Sequence, residues 1–432
     1  MDKSKIAGIK DIMNILASHQ SIYDNSIHLV PSENTLSPLA KIPFLLDAHA
    51  RYFLDDLRLF GDWSFPGGKA LGNIEQDILI PLLRKYAGAR YVNVRALSGM
   101  NCMMIALAAI TRPGDLIYTL PGDAGGHACT RGVAESLGLR VKFIPFVNEF
   151  DIDHDALAQA LQADKPRMVY LDQATFLFPL NTQPVRDLID RLKLDTRIHY
   201  DSSHLNGFIL GGIVANPLER GAHSFGGSTH KTLPGPHKGF LATDDPDLAQ
   251  AIQVKADHLV SQHHMASTIS LAITMVEFDQ CGGAALMRQV MSNTQAFCSA
   301  IPDDGPLTVH ARERGYTGCH QVWMHPSQGD TRALYNCMIE AGIITNLFGG
   351  LPGLPRPAYR MSLAEFTRLG ATEADAVELA GLLCRLAQDS PDVTRLREDV
   401  RRLRRNLTGP VYCFGPDEIG DELLKRVWSE FV

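Results

Sequence analysis

The sequence predicts an α/β protein with a mostly parallel central sheet, followed by a smaller C-terminal α+β domain. Three observations carry this expectation. Short apolar strand patterns alternate with helical patterns from about residue 75 to about residue 245, the order expected of an α/β layer. Past about residue 285 two antiparallel strand patterns appear, and helices then dominate. The 432 residues, 45% of them hydrophobic, suffice to bury one large core and a smaller companion.

The opening residues form an amphipathic helical pattern, with Ile6, Ile9, Ile12, Met13 and Leu16 recurring at three- and four-residue steps. Ile78–Tyr86 reads as a helix that stops near Gly88, and "RYVNV" as a strand. "SGMNCMMIALAAI" is a helix ended by "TRPGD". The strand series continues through "DLIYTL", "VKFIPF", "RMVYLD", "RIHYD" and "AHSFGG", with helices such as Asp187–Leu194 between. "GPLTVHARERG" and "CHQVWMHP" pair as antiparallel strands before the helical "DTRALYNCMIEAG" and a Gly/Pro-rich loop at 349–357. The run at 395–407, "RLREDVRRLRRNL", is basic on one side, which a solvated helix face explains better than a binding patch. The expected division is an N-terminal helical arm (1–30), a large α/β domain (31–285) and a small α+β domain (286–432). No internal repeat or low-complexity segment interrupts it.

Bulk chemistry excludes several classes of function. A formal charge of -7 gives no electrostatic case for nucleic acid or an anionic membrane. Eight cysteines without a C-x-x-C pair read as reduced thiols rather than a disulfide framework or zinc site. No stretch has the apolar length of a signal or a membrane span, so the expected location is cytoplasmic.

The segment "GSTHKTLPGPHKGF" (227–240) raises the chemical question, because Lys231 follows Ser-Thr-His directly. It could be a surface loop, a phosphate-binding loop or a loop presenting a covalent lysine. The phosphate-loop reading fails, since His230 stands where a glycine must precede the lysine. A lysine that forms a Schiff base with pyridoxal phosphate needs a carboxylate for the pyridine nitrogen and an anion site for the phosphate. Asp201 ends the strand pattern "RIHYD", and Ser98 and Gly99 start a predicted helix. Taken singly, Asp201 and Ser98 are ordinary helix caps. Their order and spacing relative to Lys231 favour the cofactor.

These motifs resemble serine hydroxymethyltransferases. "LVPSENTLSP" is similar to that family's S-E-N segment, "YDSSHLNGFILGG" to its strand with the pyridine-binding aspartate, and "STHKTLPGPHKGF" to its lysine motif. "DAGGHA" resembles the loop whose histidine covers the cofactor ring. The resemblance runs from about residue 25 to about residue 370 and implies the fold of fold-type I pyridoxal enzymes, usually homodimers with active sites at the subunit interface. It implies Lys231 as the Schiff-base lysine, Asp201 at the pyridine nitrogen and His127 over the ring. Ser98, Gly99 and Ser228 join the cofactor set, and His204 either orients this region or packs beside it. Ser32 and Arg360 correspond to the grip on the substrate carboxylate, with Glu33 beside them. His230 either relays protons or buttresses the loop, and Lys238 is a phosphate-side charge or, as expected first, a plain surface lysine.

The chain also departs from the family. "FGDWSFPGGKALGN" (60–73) replaces a segment that supplies a glutamate and two tyrosines near the folate. Ala70 and Leu71 fall at the tyrosines and Asp62 or Trp63 near the glutamate, so tetrahydrofolate is not expected. "VSQHH" (260–264) replaces a glycine-rich loop from the partner subunit, and Gln262 or His263 is expected at the phosphate instead. No metal is expected. These departures resemble the folate-independent branch, which includes L-threonine transaldolases and lincosamide-pathway enzymes of cysteine S-conjugates. The expected activity is cleavage of a Cα bond of an amino acid in specialised metabolism, with retro-aldol and aldol transfer first. β-Elimination or decarboxylative deamination of a modified amino acid stands second and hydroxymethyl transfer third. A non-catalytic scaffold of the same fold would need none of Lys231, Asp201 and Arg360.

Overall fold

A computed structural model describes residues 8–52, 65–418 and 420–429. Asp62 and Trp63 lie outside the described residues. A two-residue strand β1 (Ile27–His28) is followed by the seven strands of the main sheet. These are β2 (Tyr91–Asn93), β3 (Leu116–Thr119), β4 (Arg140–Phe143), β5 (Met168–Leu171), β6 (Arg197–Asp201), β7 (Ser224–Ser228) and β8 (Gly239–Thr243). Their order is β2-β8-β7-β6-β5-β3-β4. All run parallel except β8, which is antiparallel to both β2 and β7. β3, β5, β7 and β8 are buried at every position, as strands covered by helices on both faces must be.

β8 is the strand the sequence did not predict. "GFLAT" comes directly after the lysine segment and reads as its tail, yet it returns as the second arm of a hairpin from β7. Close approach explains the glycines that open this hairpin. A Cβ on Gly227 would lie 2.3 Å from Ser203 Oγ. The helix expected at Asp187–Leu194 starts earlier, at Gln183–Arg191, with Pro184 in its first turn.

A second, antiparallel sheet has the order β12-β13-β10-β9, formed by β9 (Leu307–Val309), β10 (Gln321–Pro326), β12 (Asn346–Phe348) and β13 (Ala358–Ser362). Strand β11 (Ile343–Ile344) pairs in parallel with β1, which joins residues 27–28 to this second region. Ile27 and Leu29 are accordingly buried with Phe297, Val322, Met361 and Leu379 in a core of their own. The helix Gly283–Ser299 bridges the two cores, with Leu286, Met287 and Val290 in the larger and Phe297 and Cys298 in the smaller.

The basic helix Val393–Asn406 buries Leu396, Val400 and Leu403 and pairs its arginines outward. Arg397 meets Glu340 at 2.9 Å and Arg402 meets Glu378 at 3.2 Å, the solvated face the sequence predicts. The first helix, Ile9–Asp24, buries none of its residues, and Ile9, Ile12, Met13 and Leu16 are exposed. Among the described residues no helix is long and apolar enough to cross a membrane, and no group of three or more side chains is placed to hold a metal.

Candidate active site

The carboxyl ends of the parallel strands open on a cleft of about 180 Å³, lined in part by Ser98, Gly99, His127, Asp201, His204 and Lys231. Ser228 and His230 also line it. Asp201 closes β6, and its two oxygens are fixed separately. Oδ2 accepts from the Tyr170 hydroxyl at 3.0 Å and Oδ1 from the Ser203 amide at 2.9 Å. Opposite stands the N-terminus of the twelve-residue helix Gly99–Ile110, where the Ser98 hydroxyl accepts from the Asn101 amide at 3.2 Å. A Cβ on Gly99 would come within 3.1 Å of Ser203 Oγ and 3.2 Å of Ser228 Cβ, so a larger residue would press on two residues of this cradle. Ser228 is buried, and its amide donates to Ser203 Oγ at 3.0 Å.

Lys231 rides on the loop between β7 and β8. The Thr229 amide donates to the Lys238 carbonyl at 3.0 Å, and the Thr229 hydroxyl to the Pro236 carbonyl at 2.7 Å. Asn34 of the S-E-N segment donates to the Lys231 carbonyl at 2.7 Å, which joins the chain's opening to the lysine loop. Burial lowers the Lys231 amine to about 8, helped by the Arg360 charge and opposed by Asp201. His230 stacks on His237 with ring centres 3.8 Å apart. Burial and the neighbouring His237 and Lys231 hold it down to about 3, and its Nδ1 has no partner among the described residues.

His127 is fixed through its backbone by a residue the sequence analysis missed. Asp172, at the end of β5, is buried, and its Oδ2 accepts from the His127 amide at 3.2 Å and from the Thr130 hydroxyl. Oδ1 accepts from the Thr119 hydroxyl at 2.7 Å. Burial raises the Asp172 carboxyl to about 7 despite these donors. The signal was present, since "RMVYLD" ends a strand in aspartate just as "RIHYD" does. His127 Nδ1 accepts from the Cys129 amide at 3.2 Å, which leaves the proton of the neutral ring on Nε2. Burial lowers its pKa.

Arg360 reaches this region from β13 of the second sheet. Its guanidinium donates to the Ala174 carbonyl (3.2 Å), Thr175 Oγ1 (3.3 Å) and Asn346 Oδ1 (3.2 Å), and lies 4.8 Å from the Phe348 ring centre. Its Nε is buried without a partner among the described residues, and burial lowers the group to about 10. Ser32 is half-buried and Glu33 exposed on the turn after β1. His204 is both a lining residue and a packed one. It stacks on buried His320 at 5.4 Å, and His320 Nε2 reaches the Pro31 carbonyl at 3.3 Å.

Gln262 and His263, expected at the phosphate from the partner subunit, lie outside the cleft of their own chain. Gln262 donates to the Arg51 carbonyl at 3.0 Å, and His263 Nε2 sits 2.7 Å from the Glu75 carboxylate, because the 260–264 segment packs against residues 44–51 and 75. Lys238 is not a surface residue. It is fully buried and donates to the His263 carbonyl at 2.9 Å. The glycines and prolines of its segment suggest an exposed turn, but the β7–β8 hairpin carries it into the core.

The donor set fits pyridoxal phosphate: a depressed amine, a carboxylate held from both sides, and a helix N-terminus opened by glycine. A family model described as serine hydroxymethyltransferase matches residues 8–304. An L-threonine:uridine-5'-aldehyde transaldolase from Amycolatopsis sp is 36% identical over 375 residues, covering 86% of this chain and 90% of that protein. One from Streptomyces sp is 37% identical over 390 residues, covering 90% and 93%. The serine hydroxymethyltransferase of Pyrobaculum aerophilum is 30% identical over 432 residues, covering 97% of each chain. The solved structure of an L-threonine transaldolase from Pseudomonas fluorescens superimposes with a TM-score of 0.84 at 23% identity, covering 98% of this chain and 97% of that one, a likeness of fold. The chain belongs to the serine hydroxymethyltransferase family and is a fold-type I, pyridoxal-phosphate-dependent enzyme.

Proposed function

We propose that this enzyme is a folate-independent transaldolase that breaks the Cα–Cβ bond of L-threonine, releases acetaldehyde and joins the glycyl carbon to a second aldehyde. The observation that carries this reading is Arg360, a buried guanidinium that donates to Ala174 of the cleft lining and whose Nε has no partner among the described residues. A planar cation so placed binds an α-carboxylate and turns one Cα bond toward the reacting face. Relatives at 36% and 37% identity that act on threonine and uridine-5'-aldehyde support the aldol direction and an acceptor of the nucleoside-aldehyde class. Ala70 and Leu71, where folate enzymes carry tyrosines, argue against hydroxymethyl transfer. A place in specialised, antibiotic-type biosynthesis is consistent with that loss.

Pyridoxal phosphate, when bound, supplies the electron sink for bond cleavage at Cα. The chain's own residues do the rest. Lys231, with its amine near 8, offers more of its nucleophilic neutral form at physiological pH than an ordinary lysine. Asp201 would hold the proton on the pyridine nitrogen. Ser98, Gly99 and Ser228 would hold the phosphate at the helix N-terminus, and His127 would cover the ring. Ser32 and Arg360 grip the carboxylate, with Glu33 at the mouth. His230, neutral beside the lysine and at about 3 too weak a base to take the threonine hydroxyl proton, buttresses the lysine loop through its stack on His237. His204 keeps the lysine side of the cleft packed. In this scheme residues 31–285 carry the cofactor, residues 286–432 supply Arg360, and the helix Ile9–Asp24 forms an arm.

The exposed apolar stripe of that arm supports a homodimer with active sites at the interface. Eight free cysteines support the cytoplasm. The test is to incubate cofactor-loaded enzyme with L-threonine and uridine-5'-aldehyde and measure acetaldehyde together with the new β-hydroxy amino acid. Threonine left intact, with pyruvate or thiol released from a cysteine S-conjugate, would replace the aldol reading by elimination. Serine cleavage that required tetrahydrofolate would restore the hydroxymethyltransferase reading.

A further inference from the structure

Resting on the reading of Lys231 as the cofactor lysine, we propose that Lys238 is a positioning residue, whose side chain fastens the loop bearing Lys231 to the 260–264 segment. Lys238 closes that loop, since its carbonyl accepts from the Thr229 amide at 3.0 Å. Its own side chain is fully buried, and Nζ donates to the His263 carbonyl at 2.9 Å. The neighbouring Gly239 fixes the backbone from which this side chain departs. The Gly239 amide donates to the Ala96 carbonyl at 3.1 Å, and a Cβ there would lie 2.4 Å from Cys102 Sγ. The start of β8 is therefore pressed against the helix Gly99–Ile110.

The segment that receives the bond needs holding. His264 is a non-glycine residue with a φ of 57°, a conformation that surrounding contacts must impose. Those contacts come from several directions. His263 Nε2 lies 2.7 Å from Glu75 Oε2, His264 Nε2 lies 3.2 Å from His49 Nδ1, and Arg95 donates to the Val260 carbonyl at 3.0 Å. Lys238 adds the tie to the lysine loop. A space-filling role alone would favour methionine or leucine, because burying an ammonium is costly. A directed charge-assisted bond to a backbone carbonyl is what lysine adds.

The experiment compares Lys238→Met and Lys238→Arg with the wild-type enzyme. In Lys238→Met the apparent dissociation constant for pyridoxal phosphate is expected to rise roughly ten- to hundred-fold, the worth of one charge-assisted bond. Deuterium uptake should rise in both 229–238 and 260–268, with the KM for threonine little changed at saturating cofactor. Lys238→Arg should recover part of both effects. Packing alone would lower the melting temperature and leave cofactor affinity and local exchange alone, and that outcome overturns the proposal. Should Lys238→Met fail to fold, the wild-type chain is measured with and without pyridoxal phosphate. Protection gained by 229–238 and 260–268 together supports the tether, and protection confined to 229–238 overturns it. Lys231→Ala separates the two readings: an unchanged cofactor spectrum there would sink the role of Lys231, whatever Lys238 does.

Discussion

Lys231 and Lys238 stand seven positions apart on one loop, and burial draws both amines down to about 8. They differ in what they face. Lys231 lines an open cleft with Asp201 and the N-terminus of Gly99–Ile110. Lys238 is sealed in the core, donating to the His263 carbonyl near Glu75 and Cys102. A depressed amine is thus no proof of a reactive one. The same desolvation prepares one lysine for covalent chemistry and leaves the other as a cross-tie. Access decides between them.

The largest expected effect breaks the comparison at its reactive end. Lys231→Ala should lower the turnover of threonine by at least roughly a thousandfold, the scale on which nucleophile removal acts. Its melting temperature without cofactor should not fall at neutral pH, because burying that amine costs the folded chain stability. Steady-state release of acetaldehyde and a thermal melt check the two halves. Lys231→Ala with full turnover would move the covalent role elsewhere.

Much of this site was legible because its signals are local. The lysine motif, the aspartate ending "RIHYD" and the serine-glycine start of a helix each occupy a few consecutive residues, and the structure gathers all three at one cleft. What was misread depends on contacts far along the chain. Lys238 meets a carbonyl 25 residues on. β8 went unseen because a strand of five residues placed between two others has no periodicity of its own to announce it. Asp172 carries the same local signal as Asp201, but no chemistry read from the sequence demands a second carboxylate. Arg360 was placed by a motif, whereas its grip on the Ala174 carbonyl 186 residues away belongs to the packing of the two sheets.

A middle-sized effect tests the second sheet's contribution. Arg360→Lys keeps the charge but loses the planar fork that spans Ala174, Thr175 and Asn346. The KM for threonine should rise roughly ten- to hundred-fold, with the affinity for pyridoxal phosphate unchanged. Initial rates across threonine concentration, beside a cofactor titration, separate these outcomes. A loss of cofactor affinity instead would place Arg360 on the phosphate side and dissolve its contrast with Lys231.

The smallest effect is a pH dependence of stability, and it sharpens the contrast between the two lysines. Each has an ordinary value of 10.5 and a folded value of about 8. Between those values the unfolded chain holds a proton that the folded chain has released, so stability rises with pH across the window. Below about 8 both states are protonated and the cost of burying the charge is present in full. The denaturation midpoint of the cofactor-free wild type, relative to Lys238→Met, should therefore shift in the wild type's favour from pH 8 to 10.5. Lys231→Met should show the same sign. Loading with pyridoxal phosphate should abolish the Lys231 difference, since that amine is then engaged, and leave the Lys238 difference in place. A flat Lys238 curve would mean that its bond to the His263 carbonyl and the nearby Glu75 keep the ammonium charged. Above about pH 8 the two lysines would then differ in charge as well as in access, and the charge-assisted tether would persist through the window.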